Sequence, residues 1–122
     1  SRGARKAYFV EQAPKAISCI AQNLAFTKFE DRGIVIKQDV LAALSGIHEK
    51  ELDIVFMDPP YGQEHEKRVL ELLRHLPCVT EDTLIVVEAD LQTDFDYAEE
   101  LGFVCTKVKR YKTNQHVFLR RA

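Results

Sequence analysis

No apolar run in this sequence approaches the roughly 18 residues needed to span a bilayer. The chain opens without the charged and then apolar pattern of a signal peptide. No membrane partner is expected, and the cysteine usage is that of a cytoplasmic protein. Cysteine is sparse, with Cys19, Cys78 and Cys105 far apart and odd in number. There is no CxxC pair and no His/Cys metal spacing, so no metal site is expected. The three thiols read as reduced and buried. His48, His65, His75 and His116 form no cluster along the chain and are given no catalytic role. Repeats, linkers and low-complexity stretches are missing too. Methionine occurs once, at Met57, and the chain begins at Ser1, so it reads as cut from a longer product.

Acid is missing from the end of the chain. From Leu101 to Ala122 there is no Asp or Glu, but there are Lys107, Lys109, Arg110, Lys112, Arg120 and Arg121. That segment carries +6, while the residues before it total -8. A cationic end on an acidic body suggests a polyanion partner; a solvated hairpin face is the plainer alternative.

What remains is ordinary globular material. The 122 residues suffice for one domain with a core, and 46% hydrophobic with 30% charged residues is a typical balance. Ala7-Tyr8-Phe9-Val10 reads as a buried strand ending at Glu11. Pro14 fits the first turn of a helix over 12–24, whose inward residues are Ile17, Ile20, Ala21 and Leu24. Gly33 to Lys37 is a second strand. Asp39 opens a short helical turn from Val40 to Leu44, closed by Ser45-Gly46. Leu52 to Met57 is a third strand, apolar on both faces except Asp53, as in parallel sheets covered by helices. A helix follows over about 64–76, with Val69, Leu72, Leu73 and Leu76 inward. Thr83 to Glu88 is a fourth strand. A helix ends at Tyr97 to Leu101, with Gly102 after it. Phe103 to Arg110 and Gln115 to Arg120 form a hairpin about Tyr111-Lys112-Thr113-Asn114. The alternation gives an α/β domain, mostly parallel, with an antiparallel edge.

Ligands of open α/β sheets bind beyond the carboxyl ends of the strands. Glu11, Asp39 and Asp58 all fall at such ends. A carboxylate like Glu11 can accept both hydroxyl hydrogens of a ribose, or it can simply favour a helix N-terminus. Asp39 can accept from an adenine amino group, with Val40 on the ring, or it can be an N-cap. Asp58-Pro59-Pro60-Tyr61 fits a narrower task. An exocyclic amino group is a poor nucleophile because its lone pair is delocalised into the ring. Two acceptors, the Asp58 carboxylate and the Pro59 carbonyl, can bind its hydrogens and expose that lone pair. The proline rings fix φ and hold the carbonyl still. Tyr61 can stack on a base turned out of its helix. A Pro-Pro turn that merely ends a strand is the alternative.

These residues resemble a known pattern. Asp58-Pro59-Pro60-Tyr61 is similar to motif IV of amino methyltransferases that use S-adenosylmethionine. The whole chain resembles the 16S rRNA guanine-N2 methyltransferase D family. The likeness runs through Ser1-Arg2-Gly3-Ala4, Phe9-Val10-Glu11, Lys37-Gln38-Asp39-Val40, Phe56 to Tyr61, Val86-Val87-Glu88 and the Tyr111 hairpin. It implies a Rossmann-like class I methyltransferase fold with strand order 3-2-1-4-5-7-6. It implies S-adenosylmethionine as cofactor, held by Glu11, Gln12, Asp39, Val40 and Asp58. Asp58, Pro59, Pro60 and Tyr61 would form the catalytic centre for a guanine amino group of 16S rRNA or an assembling small subunit. The basic hairpin, with Lys109, Arg110, Lys112 and Arg120, would touch RNA phosphates. Lys112 stands where the family often carries glycine. In the family a first strand and a Gly-rich loop precede Ser-Arg-Gly-Ala, so both are expected to be missing here, leaving a partial single domain. This polypeptide alone is then expected to bind S-adenosylmethionine poorly, and micromolar binding in calorimetry would overturn that. Three other readings remain: a DNA adenine-N6 methyltransferase, a truncated RNA-binding module without catalysis, and, last, a nicotinamide dehydrogenase.

Overall fold

The computed structural model describes residues 3–59 and 65–122, which fall into two compact units, Ser1–Ile47 and His48–Ala122. The fold is α/β, with parallel pairing inside each unit and antiparallel pairing only in the second.

The first unit is a two-stranded parallel sheet. Strand β1 (Ala7–Val10) lies beside β2 (Gly33–Ile36), with Ala7 opposite Gly33 and Val10 opposite Ile36. Helix α1 (Pro14–Thr27) joins them. Pro14 occupies its first turn, where a missing N–H costs nothing. The helix runs three residues past Leu24 because no breaker stops it there. It ends where Lys28 takes a left-handed φ of 62° and Phe29 N–H donates to Leu24 O at 2.9 Å. The expected inward stripe is only half-covered. Ile17, Ile20 and Leu24 are intermediate, Ala21 is exposed, and α1 buries no side chain. Gly33 has a packing reason: a Cβ there would lie 2.7 Å from Leu24 Cδ2, so glycine lets α1 approach β2. Helix α2 (Val40–Ala43) and a 3-10 turn at Leu44–Gly46 follow.

The second unit is a four-stranded mixed sheet in the order β3-β4-β6-β5. Strand β3 (Ile54–Met57) is parallel to β4 (Leu84–Asp90). Strand β6 (Asn114–Arg121) inserts antiparallel between β4 and β5 (Phe103–Arg110). This matches the 4-5-7-6 end of the order implied by the resemblance. Thr83 locks the start of β4 to the lead-in of β3: its buried hydroxyl donates to Leu52 O at 2.6 Å, and Leu84 N–H donates to Asp53 O at 2.9 Å. One sheet face, with Ile85, Val87, Ala89, Val117 and Leu119, is buried. The other face is more open in this chain. Ile54 is 65% exposed and Phe56 58%.

Helix α3 (His65–Leu73) buries Val69, Leu70 and Leu73. Leu70 takes the inward place expected of Leu72, which is exposed, and Leu76 is intermediate. The helix tightens before Pro77, with His75 N–H donating to Leu72 O and Leu76 N–H to Leu73 O. The helix expected before Gly102 is only a 3-10 turn at Asp96–Ala98, although Gly102 does take a positive φ of 86°. Strand β5 is an exposed edge, blunted by lysines and by a bulge between Cys105 and Lys107. All three cysteines are free, but only Cys78 is buried; Cys19 and Cys105 are exposed. Among the described residues no helix is long and apolar enough to cross a membrane, and no group of three His, Cys, Asp or Glu could hold a metal ion.

Candidate active site

Glu11 and Asp39 lie in the first unit, just past the carboxyl ends of neighbouring parallel strands. Glu11 N–H donates to Ile36 O at 3.1 Å, which carries the sheet pairing one step beyond Val10. Its carboxylate Oε1 accepts from Ala13 N–H at 3.1 Å, just ahead of α1. Asp39 caps α2: Oδ2 accepts from Leu41 N–H at 3.1 Å, and its carbonyl accepts from Ala42 and Ala43 N–H. Each carboxylate therefore spends one oxygen on its own turn. Among the described residues no donor reaches Glu11 Oε2 or Asp39 Oδ1. Gln12 is exposed beside Glu11, and Val40 is half-buried beside Asp39.

Asp58 lies in the second unit, one residue past the end of β3. Its carboxylate is exposed, and Pro59 is half-buried. Pro60 and Tyr61 lie outside the described residues.

The basic hairpin splits. Lys109, Arg110 and Lys112 sit at its turn and are exposed; the turn is closed by Tyr111 N–H donating to Asn114 O at 2.8 Å. Arg120 is near the other end of β6, about 20 Å away at an extended rise of about 3.3 Å per residue. There its Nη1 donates to Asp82 O at 2.9 Å. Arg121 has a structural task, with its guanidinium donating to Val79 O and Arg74 O below the end of α3.

A cluster that spacing along the chain did not reveal forms where strands cross. His116 is directly opposite Glu88, with Nε2 and Oε1 3.3 Å apart. The imidazole meets Phe56 edge-on at 6.0 Å between centroids, and Tyr111 at 4.9 Å. Lys109 Nζ lies 5.4 Å from the Tyr111 ring centre. Period-two alternation along β6 puts His116 and Phe118 on one face, and only the register brings Glu88 and Phe56 to it. A separate open groove of about 710 Å³ lies between the 91–95 loop and the hairpin, lined by residues that include Phe95, Arg110 and Gln115. Asp96 beside it has its carboxyl held above the usual range by a hydrogen bond to Asp94 and by that group's charge.

Strand order, the acids past parallel strand ends and the closing antiparallel hairpin make this the fold of class I methyltransferases. A solved Streptococcus pyogenes protein, described as a conserved hypothetical protein, is 27% identical with a TM-score of 0.88, over 99% of this chain and 74% of that one. A Haemophilus influenzae protein titled a "putative methylase" is 22% identical with a TM-score of 0.81, over 97% of this chain and 73% of that one. The chain belongs to the family described as Conserved hypothetical protein 95, which matches residues 1–120. A Bacillus subtilis relative named "Putative rRNA methyltransferase YlbH" is 30% identical over 114 residues, which is 91% of this chain. The chain spans 61% of that relative's length.

Proposed function

We propose that the protein is an S-adenosylmethionine-dependent RNA methyltransferase acting on the exocyclic N2 amino group of a guanine in 16S rRNA, free or in an assembling small subunit in the cytoplasm. The observation that carries this reading is the position of Asp58-Pro59 past the carboxyl end of parallel strand β3, in a chain with this fold and family. The name of the Bacillus subtilis relative supports RNA as the substrate class.

The donor set suits the cofactor. Glu11 Oε2 can accept from ribose hydroxyls, and Asp39 Oδ1 from an adenine amino group, with Gln12 and Val40 beside them. When bound, S-adenosylmethionine supplies an electrophilic methyl group on a sulfonium. The residues of this chain have a positioning task. The Asp58 carboxylate and the Pro59 carbonyl accept the two amino hydrogens of the guanine and turn its nitrogen lone pair outward. Pro60 and Tyr61 complete the motif, with Tyr61 as a stacking surface for the base. Lys109, Arg110 and Lys112 meet RNA phosphates at the hairpin turn, and Arg120 would meet them only along a longer track.

Tritium-labelled S-adenosylmethionine offered to the full-length protein with 30S particles, naked 16S rRNA and duplex DNA tests this. Label in rRNA, recovered as N2-methylguanosine, is expected. Label in DNA alone, as N6-methyladenine, would replace this reading with the DNA adenine one. In the full-length protein, Asp58→Ala should lower turnover at least about a hundredfold, the order seen when one preorganised polar contact to a reacting group is removed. Near-normal turnover would remove Asp58 from the mechanism.

A further inference from the structure

Asp58 follows the last pair of the β3–β4 ladder, Met57 opposite Val87. One step further, the same parallel register sets Asp58 beside Glu88. Glu88 is in turn directly opposite His116 on β6. Asp58, Glu88 and His116 thus occupy one rung across three neighbouring strands, with Cα atoms about 5 Å apart from strand to strand. Alternation along each strand gives the three one face. Phe56, two residues before Asp58, is on that face, because its ring meets His116 edge-on at 6.0 Å. These are contacts within the sheet, and covering the face would leave them in place.

Two carboxylates side by side in a rung repel each other. His116 fixes one of them. An ionised carboxylate only accepts, so the Nε2–H of His116 donates to Glu88 Oε1, 3.3 Å away. Tyr111 meets the imidazole at 4.9 Å between centroids. Glu88 is half-buried, and among the described residues no donor reaches its Oε2. Asp58 therefore has a second, oriented carboxylate one strand away. The ligand that suits this pair carries two adjacent donors, one for each acid.

Purine bases differ at this point. In guanine the N2 amino group has N1–H, a second donor, beside it on the same edge. In adenine the N6 amino group is flanked by N1 and N7, both acceptors. With the amino group on Asp58, guanine sets N1–H against Glu88 Oε2, whereas adenine sets a lone pair against the charge of a carboxylate.

We propose that Glu88 selects the base, accepting from N1–H of the guanine whose amino group Asp58 and Pro59 hold. This rests on the guanine-N2 reading above and adds to it the residue that excludes adenine. His116 is a positioning residue that orients Glu88.

The test uses the full-length protein and 16S rRNA joined by splinted ligation, naked or assembled into 30S particles. The guanine that takes the label is left in place or replaced by 2-aminopurine, which keeps the 2-amino group and lacks N1–H. The unaltered protein should act on the 2-aminopurine RNA with kcat/KM about ten- to a hundredfold lower, the worth of one hydrogen bond to a charged group. Glu88→Ala should lose that factor on guanine and change little on 2-aminopurine, so the ratio falls towards one. A folding defect would lower both rates and leave the ratio alone. The amide of Glu88→Gln can donate to the bare N1, so its rate on 2-aminopurine should rise above that of the unaltered protein. His116→Ala should narrow the ratio, and His116→Gln, which keeps a donor for Glu88, should restore it. The same ratio in Glu88→Ala as in the unaltered protein, or no preference in either, would overturn the role of Glu88 while leaving guanine methylation intact. Failure of the unaltered protein to label any guanine would overturn the functional reading, and the role of Glu88 with it.

Discussion

The two units contain similar apolar strands and differ in how far those strands are covered. In the first, β1 is half-buried at all four positions, α1 buries nothing, and among the described residues full burial is confined to Ala43, Leu44 and Ile47. In the second, Phe103, Leu70, Leu73, Ile85, Val87, Val117 and Leu119 are all shut from solvent. An apolar strand expresses a demand for cover, and its composition does not say whether that demand is met. Stability should therefore be concentrated in the second unit. The acids read as cofactor ligands, Glu11 and Asp39, stand on the less buried one, where local opening costs least.

Two phenylalanines test that contrast most strongly. Phe103 is 0% exposed and Phe26 is 89% exposed. Phe103→Ala should cost about 3–5 kcal/mol in urea unfolding, from lost burial plus a cavity. Phe26→Ala should stay within about 0.5 kcal/mol of the starting protein. Similar losses at both sites would end the claim that the second unit carries the stability.

Gln115 provides a polar version. Its buried amide donates to Asp90 O at 2.8 Å and to Thr93 O at 3.1 Å, pinning the loop after β4 to the start of β6. Gln115→Ala leaves those carbonyls without that partner. The expected loss is about 1–3 kcal/mol in a thermal melt, with faster proteolysis between Leu91 and Asp94. If melting is unchanged, the loop is held by something other than this amide.

The strands were largely legible, because apolar runs and turn residues mark them locally; their order came from the family resemblance. The helix ends were less so. Nothing in the composition around Lys28 announces a left-handed residue, and the run from Tyr97 to Leu101 is too short to propagate beyond a 3-10 turn. Inward faces went astray where two leucines compete, as Leu70 and Leu72 do, since the side facing the core is chosen by packing. Glu11, Asp39 and Asp58 were readable because each follows an apolar strand. The Phe56, Glu88, His116 and Tyr111 group was not, because its members are far apart in sequence and meet only through register.

Asp39 allows stability and ligand binding to be separated in the less buried unit. Asp39→Ala removes the cap on α2 and should cost about 1 kcal/mol. Asp39→Asn keeps an oxygen for Leu41 N–H, so unfolding should hardly change. It loses the carboxylate proposed for the adenine amino group, so the affinity of the full-length protein for S-adenosylmethionine should fall by calorimetry. Equal affinity in the two proteins would leave Asp39 with the capping role alone.

The smallest effect is read from the thiols, two exposed and one buried in the second unit. Cys19 lies on α1 and is exposed, while Cys78 lies in the second unit and is 2% exposed. Burial pushes the Cys78 thiol above its ordinary value, and the charge of Glu49 adds to the rise, against a backbone hydrogen bond that lowers it. Its folded value thus exceeds its unfolded one. The stability linked to this group is complete below the ordinary thiol range and is lost as the pH climbs through that range and on through the raised folded value. Iodoacetamide at pH 8 should therefore modify Cys19 and Cys105 in the folded protein, and Cys78 only after denaturation. Peptide masses over a time course give the three rates. Labelling of Cys78 as fast as the exposed Cys19 would mean that the second unit opens faster than the reagent reacts, and its burial would then have no counterpart in stability.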